Sequence, residues 1–220
     1  LFESVTKSAL TAHDSEQVGY LTQQAFATAL SPHQGPTFLD IPMDKLFTPA
    51  PVTGEHLADV KRPTPDLAHL DEALRVLNSS HRPVFIAGGD IWQNKVEEQF
   101  QNLIEQIKIP VIVNGMARGI LPPSDPLLVT PARSHALKNA DVVVVAGTPL
   151  DFRLGYGDFG DAQVIFVSDD PLASRQAKAI RLTGDLLELV GILSTNLTKP
   201  IGTQSWKDEL HARSSVIRLS

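Results

Sequence analysis

The chain of 220 residues is 42% hydrophobic and 20% charged, with a formal net charge of −6 and no cysteine. This composition supports a sizeable core, gives no electrostatic reason to expect nucleic acid as a partner, and excludes disulfides, thiolate metal sites and cysteine nucleophiles. No apolar run approaches the roughly 20 residues that span a bilayer, so no membrane partner is expected, and the lack of cysteine fits the cytoplasm.

The opening LFESVTKSAL has neither a signal-peptide layout nor an initiator methionine, and reads as an internal piece of a longer chain. Asp14 is placed to cap a first helix, with Gln17 as its capping-box partner three residues on. Val18, Leu21, Ala25, Phe26 and Ala29 then share one helical face. Pro32 and the QGP at 34–36 stop it. The TFLDIP at 37–42 reads as a short strand that has lost its neighbours and belongs to another domain's parallel sheet. Prolines at 49, 51, 63 and 65 mark residues 43–65 as an extended linker.

From Asp66 the pattern changes. Leu67, Leu70, Leu74 and Leu77 predict a helix, PVFIAGG a strand, and Val96, Phe100, Leu103, Ile104 and Ile107 a second helical stripe. PVIV, DVVVVAG, QVIFVSDDP and AIRLTGD predict further strands, with helices at ARSHALKNA and DLLELVGILSTNL. The strands are continuous apolar runs alternating with helices. That predicts an α/β fold: a parallel, doubly wound, Rossmann-like sheet with helices on both faces, over residues 66–198. Residues 1–42 are then a helix-strand remnant of another domain, and the amphipathic stretch 199–220 a helical linker leading outward.

Ligands in such sheets bind at the carboxyl ends of strands. Three predicted strand ends carry small residues: Gly88-Gly89, Asn114-Gly115 and Gly147. Glycine permits close approach of a phosphate, and the next helix start offers free N–H groups; the same glycines would also serve tight turns alone. Arg118, Arg133 and Arg153 are candidate phosphate clamps or partners of Asp125, Asp151 and Asp158. Asp169 and Asp170 could accept from ribose hydroxyls, and Asp185 could instead cap the last helix of the domain. The seven histidines show no metal-ligand spacing, and no nucleophile elbow or phosphate loop is present. No catalytic or metal-binding residue is therefore assigned.

In order along the chain, GPTFLDIPMD, RPVFIAGGDIW, IPVIVNGMARGILPPSDPL, ARSHALKNADVVVVAGTPLDFRLGYG, QVIFVSDDP and LTGD resemble thiamine-diphosphate-dependent enzymes of the acetolactate synthase-like group. The matching region is the end of the pyrimidine-binding domain and the central domain. The loop and helix at 116–147 also resemble the oxalyl-CoA decarboxylase and 2-hydroxyacyl-CoA lyase branch. The resemblance implies a parent that uses thiamine diphosphate and magnesium on a 2-oxo acid, assembled as a homodimer or homotetramer with the remaining domains of its own chain. In the branch that makes acetolactate it implies branched-chain amino acid biosynthesis. Neither Glu3 nor Glu16 stands where the family places its cofactor-activating glutamate, and no GDG magnesium motif occurs, so this segment is expected to be inactive alone. A free-standing nucleotide-binding regulatory module is the reading from another class.

The family's central domain often holds FAD or ADP, and Gly88, Gly89, Met116, Gly147, Asp151, Arg153, Asp170 and Asp185 are the positions the resemblance assigns to it. Two departures weaken that assignment. Pro149 stands where a nucleotide-binding arginine is often found, and Ser168 where an aspartate is.

Overall fold

The computed structural model describes residues 2–51, 61–170 and 179–219. The chain divides into two compact units, Leu1–Pro63 and Thr64–Ser220. The middle of the proline-rich stretch, 52–60, and the residues following Asp170, 171–178, lie outside the described residues.

The first unit is built from strand β1 (Ala9–Thr11), helix α1 (Gln17–Leu30), strand β2 (Phe38–Asp40) and a single helical turn α2 (Met43–Leu46). The start of α1 follows its sequence. The Gln17 N–H donates to Asp14 Oδ1 at 2.9 Å, while Gln17 Oε1 accepts from the His13 N–H at 3.3 Å, a reciprocal arrangement displaced by one residue from the usual box. The expected neighbourless strand is corrected. β2 pairs in parallel with β1, Ala9 opposite Phe38 and Thr11 opposite Asp40. The Ala-Leu-Thr of β1 has neither an apolar run nor an alternation long enough to announce a strand, so its partner defines it.

The second unit carries, in chain order, α3 (Leu70–Ser79), β3 (Pro83–Ala87), α4 (Gly89–Gln93), α5 (Glu97–Ile107), β4 (Val111–Val113), α6 (Arg133–Asn139), β5 (Val142–Ala146), β6 (Gln163–Ser168), β7 (Ile180–Thr183), α7 (Leu186–Asn196) and α8 (Gln204–Leu219). Five parallel strands stand in the order β4-β3-β5-β6-β7. Alternate residues of β3, β4, β5 and β6 enter opposite cores, and β7 turns Ile180 and Leu182 into the first of them. Phe85, Val144, Ile165 and Val167 pack with α3, α5 and α7 on one face, through Val76, Leu77, Phe100, Leu103, Leu189 and Leu193. Val84, Ile86, Val143, Val145 and Phe166 pack with Ala136 of α6 and Trp206 and Leu210 of α8 on the other. The uninterrupted apolar runs follow from this, since both faces of every central strand are covered.

Helix α8 therefore does not lead outward. Trp206 and Leu210, four residues apart on one helical face, are buried in the second core, and the Trp206 indole N–H donates to the Pro83 carbonyl at 3.0 Å. The polar residues around them masked this short apolar stripe in the sequence.

Asp141 ties the beginnings of three strands together. Its carboxylate accepts from the Ser80 hydroxyl at 2.6 Å, the His81 N–H at 2.8 Å and the Arg82 N–H at 3.0 Å, just before β3. Its own N–H donates to the Arg82 carbonyl, and its carbonyl accepts from the Gln163 N–H that opens β6. Burial pushes the Asp141 carboxyl up, but the Ser80 hydroxyl and the two backbone N–H groups outweigh it and hold the group below its ordinary range. Its contribution is thus fully present above the ordinary carboxylate pKa near 4 and lost as pH falls through the lower folded value. Asp141→Ala should cost about 2–3 kcal/mol in urea unfolding at pH 7, and that deficit should shrink in the acid range below about pH 4. A deficit that persists unchanged into acid would mean that packing, not the carboxylate, is what the substitution removes.

Candidate functional site

The strand order makes β3 and β5 the point at which the sheet's winding reverses, the usual ligand crevice of such folds. Gly88 follows β3 and Gly147 follows β5. The two meet so closely that a Cβ built on Gly88 would lie 2.2 Å from the Gly147 carbonyl oxygen and 2.3 Å from Thr148 Cβ. The φ of Gly88 is −111°, open to any residue, so glycine is required here for space and not for conformation. Gly147 sits at φ +65°, and a Cβ there would come within 3.0 Å of the Ile91 nitrogen.

The donors expected to face a phosphate are engaged with the sheet. The Gly88 N–H donates to the Ala146 carbonyl at 2.8 Å, and the Asp90 N–H in the first turn of α4 donates to the Gly147 carbonyl at 3.0 Å. Gly89 faces Met116, whose side chain lies 3.5 Å from a Cβ built on the glycine. Gly88, Gly89, Met116 and Gly147 are therefore gathered at one edge, as a chain-on-chain contact. Asn114 Nδ2 adds a hydrogen bond to the buried Thr148 hydroxyl at 3.3 Å.

The other candidates lie apart from this contact or are tied into local structure. Arg153 chelates Asp151: its Nε and one terminal nitrogen reach Asp151 Oδ2 at 2.8 and 2.5 Å, and its backbone N–H donates to Oδ1 at 2.9 Å. The guanidinium holds the Asp151 carboxyl below its usual range, and the carboxylate raises the arginine in turn. Arg153 borders an open cavity of about 490 Å³ between α6 and the turn at 152–157, shared with Arg133 and Lys138. An Arg133 terminal nitrogen donates to the Arg153 carbonyl. Arg118 lines a separate cavity of about 420 Å³ with Pro122, Pro123 and Pro131.

Beyond β6, the Asp170 N–H donates to the Ser168 hydroxyl at 3.0 Å, and the buried Asp169 accepts from Asn94 Nδ2 at 3.3 Å. Asp185 caps α7 through the Glu188 N–H at 3.0 Å. The roles of Asn94, Asn114 and Thr148 escaped the sequence reading. Each works through a contact between loops that no local pattern announces.

The pattern of the family described as "Thiamine pyrophosphate enzyme, central domain" matches residues 70–193, more than half of the chain. The chain belongs to that family. It is 36% identical to the acetolactate synthase large subunit IlvG of Mycobacterium tuberculosis over 97% of its own length and 40% of that protein's. It is 28% identical to the oxalyl-CoA decarboxylase of Escherichia coli, over 93% of this chain and 39% of the other. The chain thus spans about 40% of the length of these curated relatives. Among solved structures, a benzoylformate decarboxylase from Polynucleobacter necessarius superposes with a TM-score of 0.70 at 24% identity, covering 91% of this chain and 40% of that one. That likeness shows the fold.

The close contact of Gly88 with Gly147 gives a direct test. Gly88→Ala should destabilise this central domain by about 3 kcal/mol or more, at the upper end of overpacking costs, because the clashing atom belongs to backbone. Gly89→Ala, which meets only a flexible methionine, should cost about 1 kcal/mol or less. Equal effects in thermal unfolding would contradict the contact described.

Proposed function

We propose that this central domain belongs to an acetolactate synthase-like enzyme, which decarboxylates a 2-oxo acid such as pyruvate and joins the remaining two-carbon unit to a second 2-oxo acid. The observation that carries this reading is the 36% identity to an acetolactate synthase over nearly the whole chain, against 28% for the oxalyl-CoA decarboxylase. Thiamine diphosphate, with magnesium, supplies the electron sink for that chemistry. The GDG motif that would hold the magnesium does not occur in these 220 residues, so the cofactor and the 2-oxo acid are assigned to other domains of the parent.

On this reading the segment contributes scaffold and subunit contacts within a homodimer or homotetramer. The exposed aromatic rings of Phe152 (73%) and Tyr156 (67%) in one turn support a contact role, since aromatics are enriched at interfaces. The same reading places the enzyme in the cytoplasm, in branched-chain amino acid biosynthesis. Among the described residues no helix is long and apolar enough to cross a membrane.

A FAD or ADP pocket formed by Gly88, Gly89, Met116, Gly147, Asp151, Arg153, Asp170 and Asp185 is degenerate in this reading. The support is chemical. Pro149 has no N–H and no charge where an arginine is expected. Arg153 is neutralised by Asp151, Asp185 is spent on a helix start, and the space beside Gly88 is filled by Gly147 and Thr148. Losing one charge-assisted phosphate contact alone costs about 1.5–3 kcal/mol.

With thiamine diphosphate, magnesium and pyruvate, the 220 residues alone should form no acetolactate, whereas the longer parent chain should form it. Turnover by the segment would overturn the assignment of catalysis to other domains. A parent that ignores pyruvate and releases carbon dioxide from oxalyl-CoA would establish the oxalyl-CoA decarboxylase reading instead. A reading frame that closes without further domains would favour a nucleotide-binding regulatory module.

A further inference from the structure

Where β4 ends, the chain makes a loop, 114–129, that returns to run beside the same strand. The Val111 N–H donates to the Leu127 carbonyl at 2.7 Å, and the Val129 N–H donates to the Val111 carbonyl at 2.9 Å. Leu121 is anchored in the core that holds α5, and a turn at 122–125 is closed by the Asp125 N–H on the Pro122 carbonyl at 2.9 Å. These ties fix the walls of the cavity of about 420 Å³ at this strand end. The walls are apolar: Val113, Leu121, Leu128 and the rings of Pro122, Pro123 and Pro131. No carboxylate lines it.

Two polar side chains join this apolar lining. Arg118 is its one charged group, and the guanidinium makes no hydrogen bond or ion pair among the described residues. Asp125, the carboxylate nearest to it in the loop, instead accepts from the Leu127 N–H through Oδ1 at 2.8 Å. Thr130 Oγ1 accepts from the Val113 N–H at 3.0 Å, which leaves its own O–H to donate. We propose that this cavity binds a short aliphatic carboxylate. Arg118 and Thr130 hold the carboxylate, and the alkyl tail lies against Val113, Leu121, Leu128 and the prolines.

The charge count selects that class of ligand. One guanidinium matches one carboxylate and can bind it through two parallel hydrogen bonds. A phosphate monoester carries nearly two negative charges at neutral pH, and no second cation lines the cavity. A neutral apolar molecule would use the walls and leave the guanidinium idle. The volume lies in the range of small-molecule sites, and the carboxyl end of a parallel strand is where such sheets take their ligands. Proline rings and a pinned loop leave little to be ordered on binding. This cavity is separate from the contact of Gly88 with Gly147, so a closed crevice there leaves it available.

Amide resonances of the folded, isotope-labelled chain are followed by NMR as hexanoate, butyrate or hexanol is added. Hexanoate should shift the amides of Gly119, Leu121, Leu128 and Thr130 saturably, with a dissociation constant of about 1 mM or tighter. Butyrate, two methylenes shorter, should bind about tenfold more weakly. Hexanol, which has the tail without the charge, should also lose about tenfold. Arg118→Gln should weaken hexanoate by about the same factor and leave hexanol unchanged. Its thermal midpoint should match that of the unaltered chain, because the guanidinium holds no other group; a lowered midpoint would contradict the free cation on which the site rests. Absence of saturable shifts at these amides, equal binding of hexanol and hexanoate, equal binding of butyrate and hexanoate, or hexanoate binding untouched by Arg118→Gln would each overturn the proposal.

Discussion

The arrangement of this domain depends on a single steric constraint. The backbones of Gly88 and Gly147 occupy space that side chains would otherwise fill, at the carboxyl ends of the two central strands. That approach lets Gly88 donate to Ala146 and Asp90 donate to Gly147, so the start of α4 is locked onto the end of β5. From there α4 and α5 run back along one face, placing Ile91, Val96 and Phe100 in the larger core. At the opposite ends of the strands Asp141 performs the matching task, its carboxylate accepting from three protein donors. Both ends of the β3–β5 pair are thereby fixed, one by sterics and the other by charge-assisted hydrogen bonds.

A glycine at the end of a strand satisfies two physical demands that look alike in sequence. A phosphate needs backbone N–H groups left open and room for its oxygens; two converging loops need the same absence of Cβ. Here the second demand is met. The N–H groups of Gly88 and Asp90 are spent on carbonyls, and the guanidinium of Arg153 is spent on Asp151. These polar groups satisfy one another within the fold, as the scaffold role proposed for the domain requires.

Much of the architecture was legible because the sheet is buried on both faces. Runs such as Val142 to Val145 have no solvent-facing side, and their uniform hydrophobicity encodes that directly. The stripe of Val96, Phe100, Leu103, Ile104 and Ile107 encoded α5 equally well. Elements whose identity rests on partners far along the chain were opaque. β1 exists because β2 lies beside it, and α8 is anchored by two residues, Trp206 and Leu210, within a polar sequence. The site divided in the same way. The glycines stood out by composition, whereas the pairing of Asp151 with Arg153 across one intervening residue could be read only as one option among several. The hydrogen bonds of Asn94 and Asn114 depend on loop-to-loop distances that no sequence period reports.

Isothermal titration of the folded chain with FAD and with ADP tests most directly whether this domain is a scaffold with a closed crevice. The account predicts no saturable heat for either nucleotide at ligand concentrations up to about 10 μM, about −7 kcal/mol of binding free energy. A dissociation constant below about 1 μM, near −8 kcal/mol, for either one would contradict it and show that the crevice between β3 and β5 still opens to a phosphate.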